Sequence, residues 1–503
     1  MARGTTPNQL LIVSDEERRN DWLRGKVDLP AHQRLMDDGI TFNRYYTHAS
    51  PCSPSRASLY TGSYLAEHGV VDNVSFPTHT ALDPTIPTIG SLLGKQGYYS
   101  AYLGKFHLSH DEIPDMEAFG YHDFTGNDMH YTGSAWSGRH FDPIIAGDAI
   151  TWLREHGTRD EPWHLTVALV NPHDIMWFPI DHPSFQAQHP DMKKVFDFMR
   201  ELRLDGVPVE PMSEDYDEVF EALPENFHDD LHTKPEIQRA WRQVRNTEHM
   251  VGHLDLDDER SWLRQLDYYA YLHRELDRNL QGILDVLNEL GIYDDTVIAY
   301  TSDHGDACGS HGLRAKLPCV YEEVMGVPLI MKVPGMTRPG TETDALATHV
   351  DLAATMCALG GVDIGSVPTL SGVDLSPALT DPSASPREYV FFAQDSAQSG
   401  LLSNTRYAVR GFFDGETKYA RYYGIGGGVA RDGTVDRRPK LFGEDAAFED
   451  HDHEWYEPHH DPHELVNLAN DTGRRSQLRA HFDRLLEIEH DELGALAGHG
   501  GRQ

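Results

Sequence analysis

The sequence predicts an α/β fold with a largely parallel sheet, and two observations support that prediction. Three apolar, β-branched runs each end in polar residues: NQLLIVSDEE, HLTVALVNPHD and DDTVIAYTSDHGD. Between them lie helical patterns, the longest from about Trp262 to Leu290, with an end near Gly291. Strands that alternate with helices indicate parallel pairing, so the polar ends of the three runs should meet at one edge of the sheet.

The rest of the chain predicts an insertion and a smaller second domain. At 503 residues the chain is too long for one ordinary core. Residues 1–380 should form the main α/β domain, and residues 381–503 an α+β domain with a hairpin around Asp414-Gly415 and a terminal helix, LRAHFDRLLEIEHDEL. Residues 179–252, rich in Pro and acids, predict loops and short helices near the mouth of a site.

Composition and charge exclude several classes of partner. Hydrophobic residues make up 39% of the chain and charged residues 24%, as in ordinary globular proteins. The net charge of −37 argues against nucleic acids and anionic membranes, so an anion could bind only where a few cations gather. The first residues, MARGTTPNQLLIVSDEE, do not resemble a secretory signal, and no stretch is long and apolar enough to span a bilayer. We therefore expect a cytoplasmic protein.

Two pairs of potential metal ligands close predicted strands. Asp15 and Glu16 end the first, and Asp303 and His304 end a later one. Such residues also cap the helix that follows, and either pair alone would favour that role. Two pairs at one sheet edge favour a divalent cation such as Ca²⁺, Mg²⁺ or Mn²⁺.

Cations and histidines also cluster around the predicted strand ends. Lys105 and His107 stand two apart in YLGKFHLSH, His173 follows a strand in NPHDIMW, and Lys316 follows the later acidic pair. Each residue alone is usually a solvated or structural one. Their shared position in sheet-edge loops predicts a pocket for an anion.

The stretch SPCSPSRASLYTGSY places Cys52 in a Ser/Pro turn, four residues ahead of Arg56. A catalytic thiol needs a neighbouring base and a low pKa, and a structural cysteine needs apolar neighbours. A third possibility is that the cysteine is the precursor of another group. The other three cysteines show no pairing pattern.

The string Cys52-Ser53-Pro54-Ser55-Arg56, continuing to Thr61-Gly62, resembles the signature of the type I sulfatases, whose cysteine is oxidised to formylglycine. Further segments resemble that family in the same order: LGKFHL, NPHD, YTSDHGDACGSHG, KLPCVYEEVMGVPLIMKVPG, HVDLAATMCALGG and YEPHHDPHELVNLAN. The resemblance implies the alkaline-phosphatase-like α/β fold, a mixed, largely parallel sheet flanked by helices. It also implies hydrolysis of sulfate monoesters, with aryl esters the first candidates.

The resemblance implies a role for each matched position. Residue 52, as a hydrated formylglycine, would attack sulfur, and Arg56 would neutralise and orient it. Lys105 and Lys316 would hold the sulfate oxygens.

Two histidines complete the implied reaction. His173, with Lys316, would protonate the leaving alcohol, and His107 would take a proton from the second hydroxyl of residue 52. Maturation would require a formylglycine-generating enzyme, and homo-oligomers are common among such proteins.

The implied metal ligands are residue 52, Asp15, Asp303 and His304, with Glu16 and Asn73 left open. Ca²⁺ is the first candidate, with Mn²⁺ or Mg²⁺ as alternatives.

Some positions depart from the commonest family pattern. Glu16 stands where Asp is usual, and His304 where Asn is usual; phosphonate monoester hydrolases and choline sulfatases share that histidine and an asparagine at the place of Asn73. Lys105 is the sulfatase choice. Trp177 and Asn73 are further candidates for substrate binding.

Three alternatives remain open. The first is a hydrolase of phosphonate monoesters or phosphodiesters, or an enzyme with both activities. The second is a non-catalytic metal-binding protein, suggested by EDHDHEWYEPHHDPHE at residues 449–464. The third is an interaction protein that has lost catalysis, against which the complete set of site residues argues.

Overall fold

An eight-stranded mixed sheet forms the centre of the main domain. The structure is a computed structural model, and it describes residues 6–75, 77–128, 133–203, 212–247, 251–398, 402, 405–423 and 447–494. The strands of this sheet are β1 (Asn8–Asp15), β2 (Ile40–Tyr46), β3 (Tyr99–Gly104), β4 (Asp123–Thr125), β5 (Trp163–Pro172), β6 (Thr296–Ser302), β7 (Leu329–Lys332) and β8 (Thr341–Thr348). Their order is β4-β3-β5-β1-β6-β7-β2-β8, and only the two pairs that include β7 are antiparallel. The predicted mixed, largely parallel sheet is confirmed.

Helices cover both faces of the sheet. The helices of the described residues are α1 (Pro30–Asp38), α2 (Cys52–Thr61), α3 (Leu65–His68), α4 (Ile89–Gly94), α5 (Ser137–His156), α6 (Pro183–Gln188), α7 (Pro190–Arg203), α8 (Glu236–Thr247), α9 (Glu259–Glu289), α10 (Glu322–Met325), α11 (His349–Leu359), α12 (Ser376–Thr380) and α13 (Arg475–Leu493). Of these, α1, α5 and α9 pack on one face of the sheet, and α2, α4, α11 and α12 pack on the other. Because side chains alternate along a strand, Leu10 and Ile12 of β1 pack with α5 and α9, while Leu11 and Val13 pack with α2 and α11. The central strand is therefore apolar on both sides.

The three polar strand ends lie at the same edge of the sheet. In the parallel register Ser14 pairs with Ser302, and Asp15 pairs with Pro172. The residues that follow β1, β5 and β6 therefore emerge side by side, as predicted. The predicted long helix is also confirmed as α9, whose first turn is capped by the side chain of Asp258.

The second sheet is antiparallel and lies towards the C-terminus. Its strands are β9 (Val390–Gln394), β10 (Ala408–Phe413), β11 (Lys418–Tyr423) and β12 (Asp452–Tyr456), in the order β12-β11-β10-β9. The predicted hairpin around Asp414-Gly415 joins β10 to β11, and the predicted terminal helix is α13. The boundary between residues 380 and 381 stays a prediction.

The insertion packs against this second sheet as well as the main domain. It contains α6, α7 and α8, and its residues 204–211 and 248–250 lie outside the described residues. Trp241 of α8 shares a buried cluster with Val320 of the main domain and Tyr422 of β11. The insertion therefore joins the two sheets through apolar contacts. In the described part of the chain, no helix is both long and apolar enough to cross a membrane.

The buried apolar side of α9, which includes Leu280, offers a direct test of this packing. Leu280 is fully buried between α9 and the sheet, whereas Ile113 is 69% exposed. Leu280→Ala should lower the free energy of unfolding by about 2–5 kcal/mol, because the deletion leaves a cavity that the core cannot close. Chemical denaturation followed by tryptophan fluorescence measures the change, with Ile113→Ala as the exposed control. Equal losses in the two variants would contradict this arrangement of the core.

Candidate active site

Cys52 is the first residue of α2 and lies in a pocket of charged groups. It is fully buried, as is every residue of this helix. The Cys52 Sγ lies 3.3 Å from Lys316 Nζ, 3.3 Å from His304 Nε2, 3.7 Å from Asp15 Oδ1 and 3.9 Å from Lys105 Nζ. The residues at the ends of β1 and β6 thus meet the loops that carry Lys105 and Lys316 around one sulfur atom.

Buried cations and carboxylates alternate around this sulfur. The contacts are Lys105 Nζ to Asp15 Oδ2 at 2.7 Å, Arg56 Nη2 to Asp15 Oδ2 at 2.8 Å, Arg56 Nε to Asp303 Oδ2 at 2.9 Å and Lys316 Nζ to Glu16 Oε2 at 2.9 Å. The side chains in these pairs are at most 3% exposed. Since charges buried without partners are costly, each carboxylate depends on the cation beside it.

The pocket holds Cys52 as a neutral thiol. Burial raises the pKa of Cys52, and the carboxylate of Asp15 raises it further, against the opposing effect of Lys105. A reactive cysteine needs the opposite shift, because the thiolate is the nucleophile. The geometry therefore does not favour Cys52 as an ordinary thiol nucleophile.

The pKa of Asp15 is shifted in the opposite direction to that of the Cys52 thiol. Burial alone would raise the pKa of Asp15, but the charges of Lys105 and Arg56 outweigh it and hold that pKa well below its usual value. Asp15 is therefore a carboxylate at neutral pH and can accept a cation.

His107 and His173 face this pocket with free ring nitrogens. His107 Nδ1 and Nε2 and His173 Nδ1 are buried without a hydrogen-bond partner, while His173 Nε2 lies 3.7 Å from Glu16 Oε2. Burial lowers the pKa of both imidazoles well below the usual value, and nearby lysines lower it further. Two neutral imidazoles are thus available to accept protons.

Four side chains offer the ligand set of a cation. The ligand atoms of Asp15, Cys52, Asp303 and His304 all lie within 4.8 Å of one another. His304 Nδ1 contacts the Gly305 carbonyl at 3.0 Å, so that nitrogen donates and Nε2 is left as an acceptor pointing at Cys52. Carboxylate oxygens with one imidazole suit a hard or borderline divalent ion. The residues present fit such an ion.

The remaining sequence candidates have other contacts. Glu16 Oε2 pairs with Lys316, although its Oε1 is buried without a partner. Asn73 Oδ1 accepts a hydrogen bond from the Ser53 N–H at 3.0 Å. Trp177 is buried and donates through Nε1 to the Gly133 carbonyl at 2.9 Å. Metal or substrate binding by these three residues stays a prediction.

The acidic, His-rich stretch at residues 449–464 forms no metal site in the described part of the chain. Both groups of potential ligands found there contain Asp15, and neither includes a residue of this stretch. Instead His453 lies in β12, with Nδ1 at 2.8 Å from the Tyr419 hydroxyl.

Comparison with known proteins agrees with this geometry. Residues 7–362 match the family model described as Sulfatase. The chain belongs to the sulfatase family. It is similar to the N-acetylglucosamine-6-O-sulfatase of Bacteroides thetaiotaomicron, with 26% identity over 418 residues, 76% of this chain and 72% of that one. It is also similar to arylsulfatase A of Bos taurus, with 26% identity over 99% of this chain and 87% of the other.

Solved structures share the fold of this sulfatase chain. A 2-O GAG sulfatase aligns with a TM-score of 0.71 and 21% identity, covering 98% of this chain and 93% of that chain. A phosphonate monoester hydrolase from Silicibacter pomeroyi aligns with a TM-score of 0.69 and 20% identity, covering 97% and 96%. At these identities the likeness shows the fold alone.

One residue at this site was not found by sequence reasoning. Asp128 is buried, and its carboxylate accepts hydrogen bonds from the backbone N–H groups of Phe106 and His107 at 2.8–3.0 Å. It stands in no motif and far along the chain from its partners. Only the folded structure brings it to the His107 loop.

Gly133 supplies a test of the His173 position. A Cβ atom at Gly133 would stand 2.2 Å from His173 Cε1, so Gly133→Ala must displace that imidazole. We expect kcat to fall by about 100-fold, since displacement of a reacting group by about 1 Å has that effect. Gly291→Ala is the matched control: Gly291 also has positive φ, but no atom would lie within 4 Å of its Cβ. Similar kcat values in the two variants would show that His173 plays no part in turnover.

Proposed function

We propose that this protein hydrolyses sulfate monoesters at the Cys52 site, with Cys52 oxidised to formylglycine. The observation that carries the proposal is a buried cysteine, neutral as a thiol, surrounded by two lysines, a histidine and an aspartate. Membership of the sulfatase family supports the same chemistry. Oxidation would replace a poor nucleophile with a hydrated aldehyde, whose hydroxyl can attack sulfur.

The cations of the pocket would bind the sulfuryl group. Burial opposes the charge of Lys316, but the nearby carboxyl groups of Glu16 and Asp15 outweigh it and raise the pKa of Lys316, so it stays protonated. Lys105 lies on the other side of residue 52, beside Asp15. Two ammonium groups flanking residue 52 can hold two oxygens of the ester and stabilise charge that develops during transfer. In a chain of net charge −37 this pocket concentrates positive charge locally.

The two histidines would move protons on opposite sides of the reaction. His173 Nε2 lies near Asp15 and Glu16 and beside Lys316. The neutral imidazole would therefore act with Lys316, passing a proton from that ammonium group to the leaving oxygen. His107 would accept the proton from the hydroxyl of residue 52 when sulfate is released. Its ring nitrogens have no hydrogen-bond partner to give up first.

We infer that a divalent cation is held by residue 52, Asp15, Asp303 and His304. When bound there it would polarise the sulfuryl oxygens and favour deprotonation of the nucleophile. Ca²⁺ is the first candidate, and the imidazole of His304 also suits Mn²⁺; Mg²⁺ is a further candidate.

A phosphonate monoester is the second candidate substrate class. The pair Asp303–His304 and the nearby Asn73 favour it, and phosphonate monoester hydrolases share the fold. Lys105, bonded to Asp15, favours the sulfate monoester. Maturation would need a formylglycine-generating enzyme in either case.

Turnover of two model substrates tests the reaction class. We expect kcat/KM for 4-nitrophenyl sulfate to exceed that for the phosphonate monoester 4-nitrophenyl phenylphosphonate. Cys52→Ala should lower kcat/KM by at least about 1,000-fold, because the nucleophile is gone. Ser63→Ala is the control for changes near this helix: Ser63 lies in the loop after α2, and its hydroxyl donates to the Thr369 carbonyl. Faster phosphonate hydrolysis would favour the second candidate, and full activity in Cys52→Ala would refute the proposal.

Metal binding can be tested by stability alone. A ligand that binds only the folded protein stabilises it by about 2.7 kcal/mol at 100 times its Kd. Adding Ca²⁺ or Mn²⁺ to chelator-treated protein should therefore raise the melting temperature, and Asp303→Asn should reduce that rise. Asp267→Asn, a buried aspartate on α9 that is not among the proposed ligands, should keep it. An equal rise in the Asp303 variant would place the ion elsewhere.

A further inference from the structure

His107 has a backbone conformation that its own side chain does not favour. Its φ is +58°, in the left-handed region that non-glycine residues rarely adopt. The residue is 2% exposed, and its ring nitrogens have no partner. The direction of the imidazole is therefore set by the backbone, because no side-chain hydrogen bond fixes it.

Two contacts hold the backbone of His107. On one side Asp128 Oδ1 accepts from the N–H groups of Phe106 at 3.0 Å and His107 at 2.8 Å, and Asp128 Oδ2 also lies 2.8 Å from the His107 nitrogen. On the other side Ser53 Oγ donates to the His107 carbonyl at 2.6 Å. Ser53 is the neighbour of Cys52, and its own N–H is held by Asn73. The His107 backbone is thus tied to the nucleophile helix.

We propose that Asp128 is a positioning residue, whose carboxylate holds the Phe106–His107 backbone in the left-handed turn that sets the direction of the His107 imidazole. The inference rests on the proposed function, because it assigns His107 a proton-transfer role. Asp128 itself is 3% exposed and points at backbone N–H groups, so it acts through His107. Without it, two adjacent buried N–H groups would have no acceptor and the left-handed turn would relax.

The chain contains a matched control for this carboxylate. Asp267 is 2% exposed, and its Oδ1 likewise accepts from two consecutive backbone N–H groups, those of Val219 and Phe220, at 2.7 and 3.0 Å. Asp267→Ala and Asp128→Ala therefore remove the same kind of support from different loops. A purely structural role predicts the same kinetic behaviour for both variants.

The experiment measures kcat, KM and melting temperature for 4-nitrophenyl sulfate hydrolysis, with the formylglycine content of each variant determined by mass. We expect Asp128→Ala to lower kcat by about 10–100-fold with KM within about threefold, as for a displaced reacting group. Asp267→Ala should lower the melting temperature but keep kcat within about twofold. The amide oxygen of Asp128→Asn can still accept from both N–H groups, so the kcat of this variant should be at least about tenfold higher than that of Asp128→Ala.

Three outcomes would overturn the proposal. The first is a kcat in Asp128→Ala that matches Asp267→Ala. The second is an Asp128→Asn variant as slow as Asp128→Ala, which would mean that the charge itself acts in the reaction. The third applies if Asp128→Ala does not fold. Ser53→Ala, which removes the other hydrogen bond to the His107 backbone, should then lower kcat. An unchanged kcat in that variant would refute the proposed role of Asp128.

A crystal structure of the Asp128→Ala variant separates this proposal from the proposed function. It reports the φ of His107 without any need for turnover. If the φ of His107 leaves the left-handed region, the positioning role of Asp128 is supported even if the wild-type protein has no sulfatase activity. If the φ of His107 is unchanged, the positioning role of Asp128 is refuted even if the wild-type protein is an active sulfatase.

Discussion

The site depends on one buried guanidinium, that of Arg56. Its Nη2 binds Asp15 at the end of β1, its Nε binds Asp303 just after β6, and its Nη1 donates to the Lys105 carbonyl at 2.7 Å. A planar group with five donors is suited to such a junction, because it can bind two carboxylates and a carbonyl at once. Through Arg56, helix α2 fixes the distance between the nucleophile position and the strand ends that would hold a cation.

This junction also explains how so acidic a chain can bind an anionic ester. Three cations gather at one sheet edge, and each is balanced by a buried carboxylate until a ligand arrives. Lys316 pairs with Glu16 and also lies 3.3 Å from the Cys52 sulfur, so the same ammonium can serve the carboxylate and a bound ester. The pairing stabilises the charges in the free protein and keeps them directed at residue 52.

Much of the fold could be predicted from the sequence because it follows from local periodicity. The apolar run of β1, the stripe of α9 and the hairpin around Asp414-Gly415 are all repeated patterns over neighbouring residues. The motif around Cys52 likewise carries its spacing along the chain. The contacts of Asp128 with His107 and of Glu16 with Lys316 join segments that are distant along the chain, so no local sequence pattern predicts them. The packing of α8 against the second sheet was missed for the same reason.

The central claim is that residue 52 reacts as an oxidised cysteine in this cationic pocket. The mass of the tryptic peptide that contains residue 52, from protein made in a host that forms formylglycine, tests it most directly. Conversion of the thiol to the aldehyde lowers the mass by about 18 daltons, whereas the ordinary steps of cysteine oxidation add oxygen and raise it. The account predicts the lower mass in protein that turns over a sulfate ester. An unmodified Cys52 in active protein would contradict it.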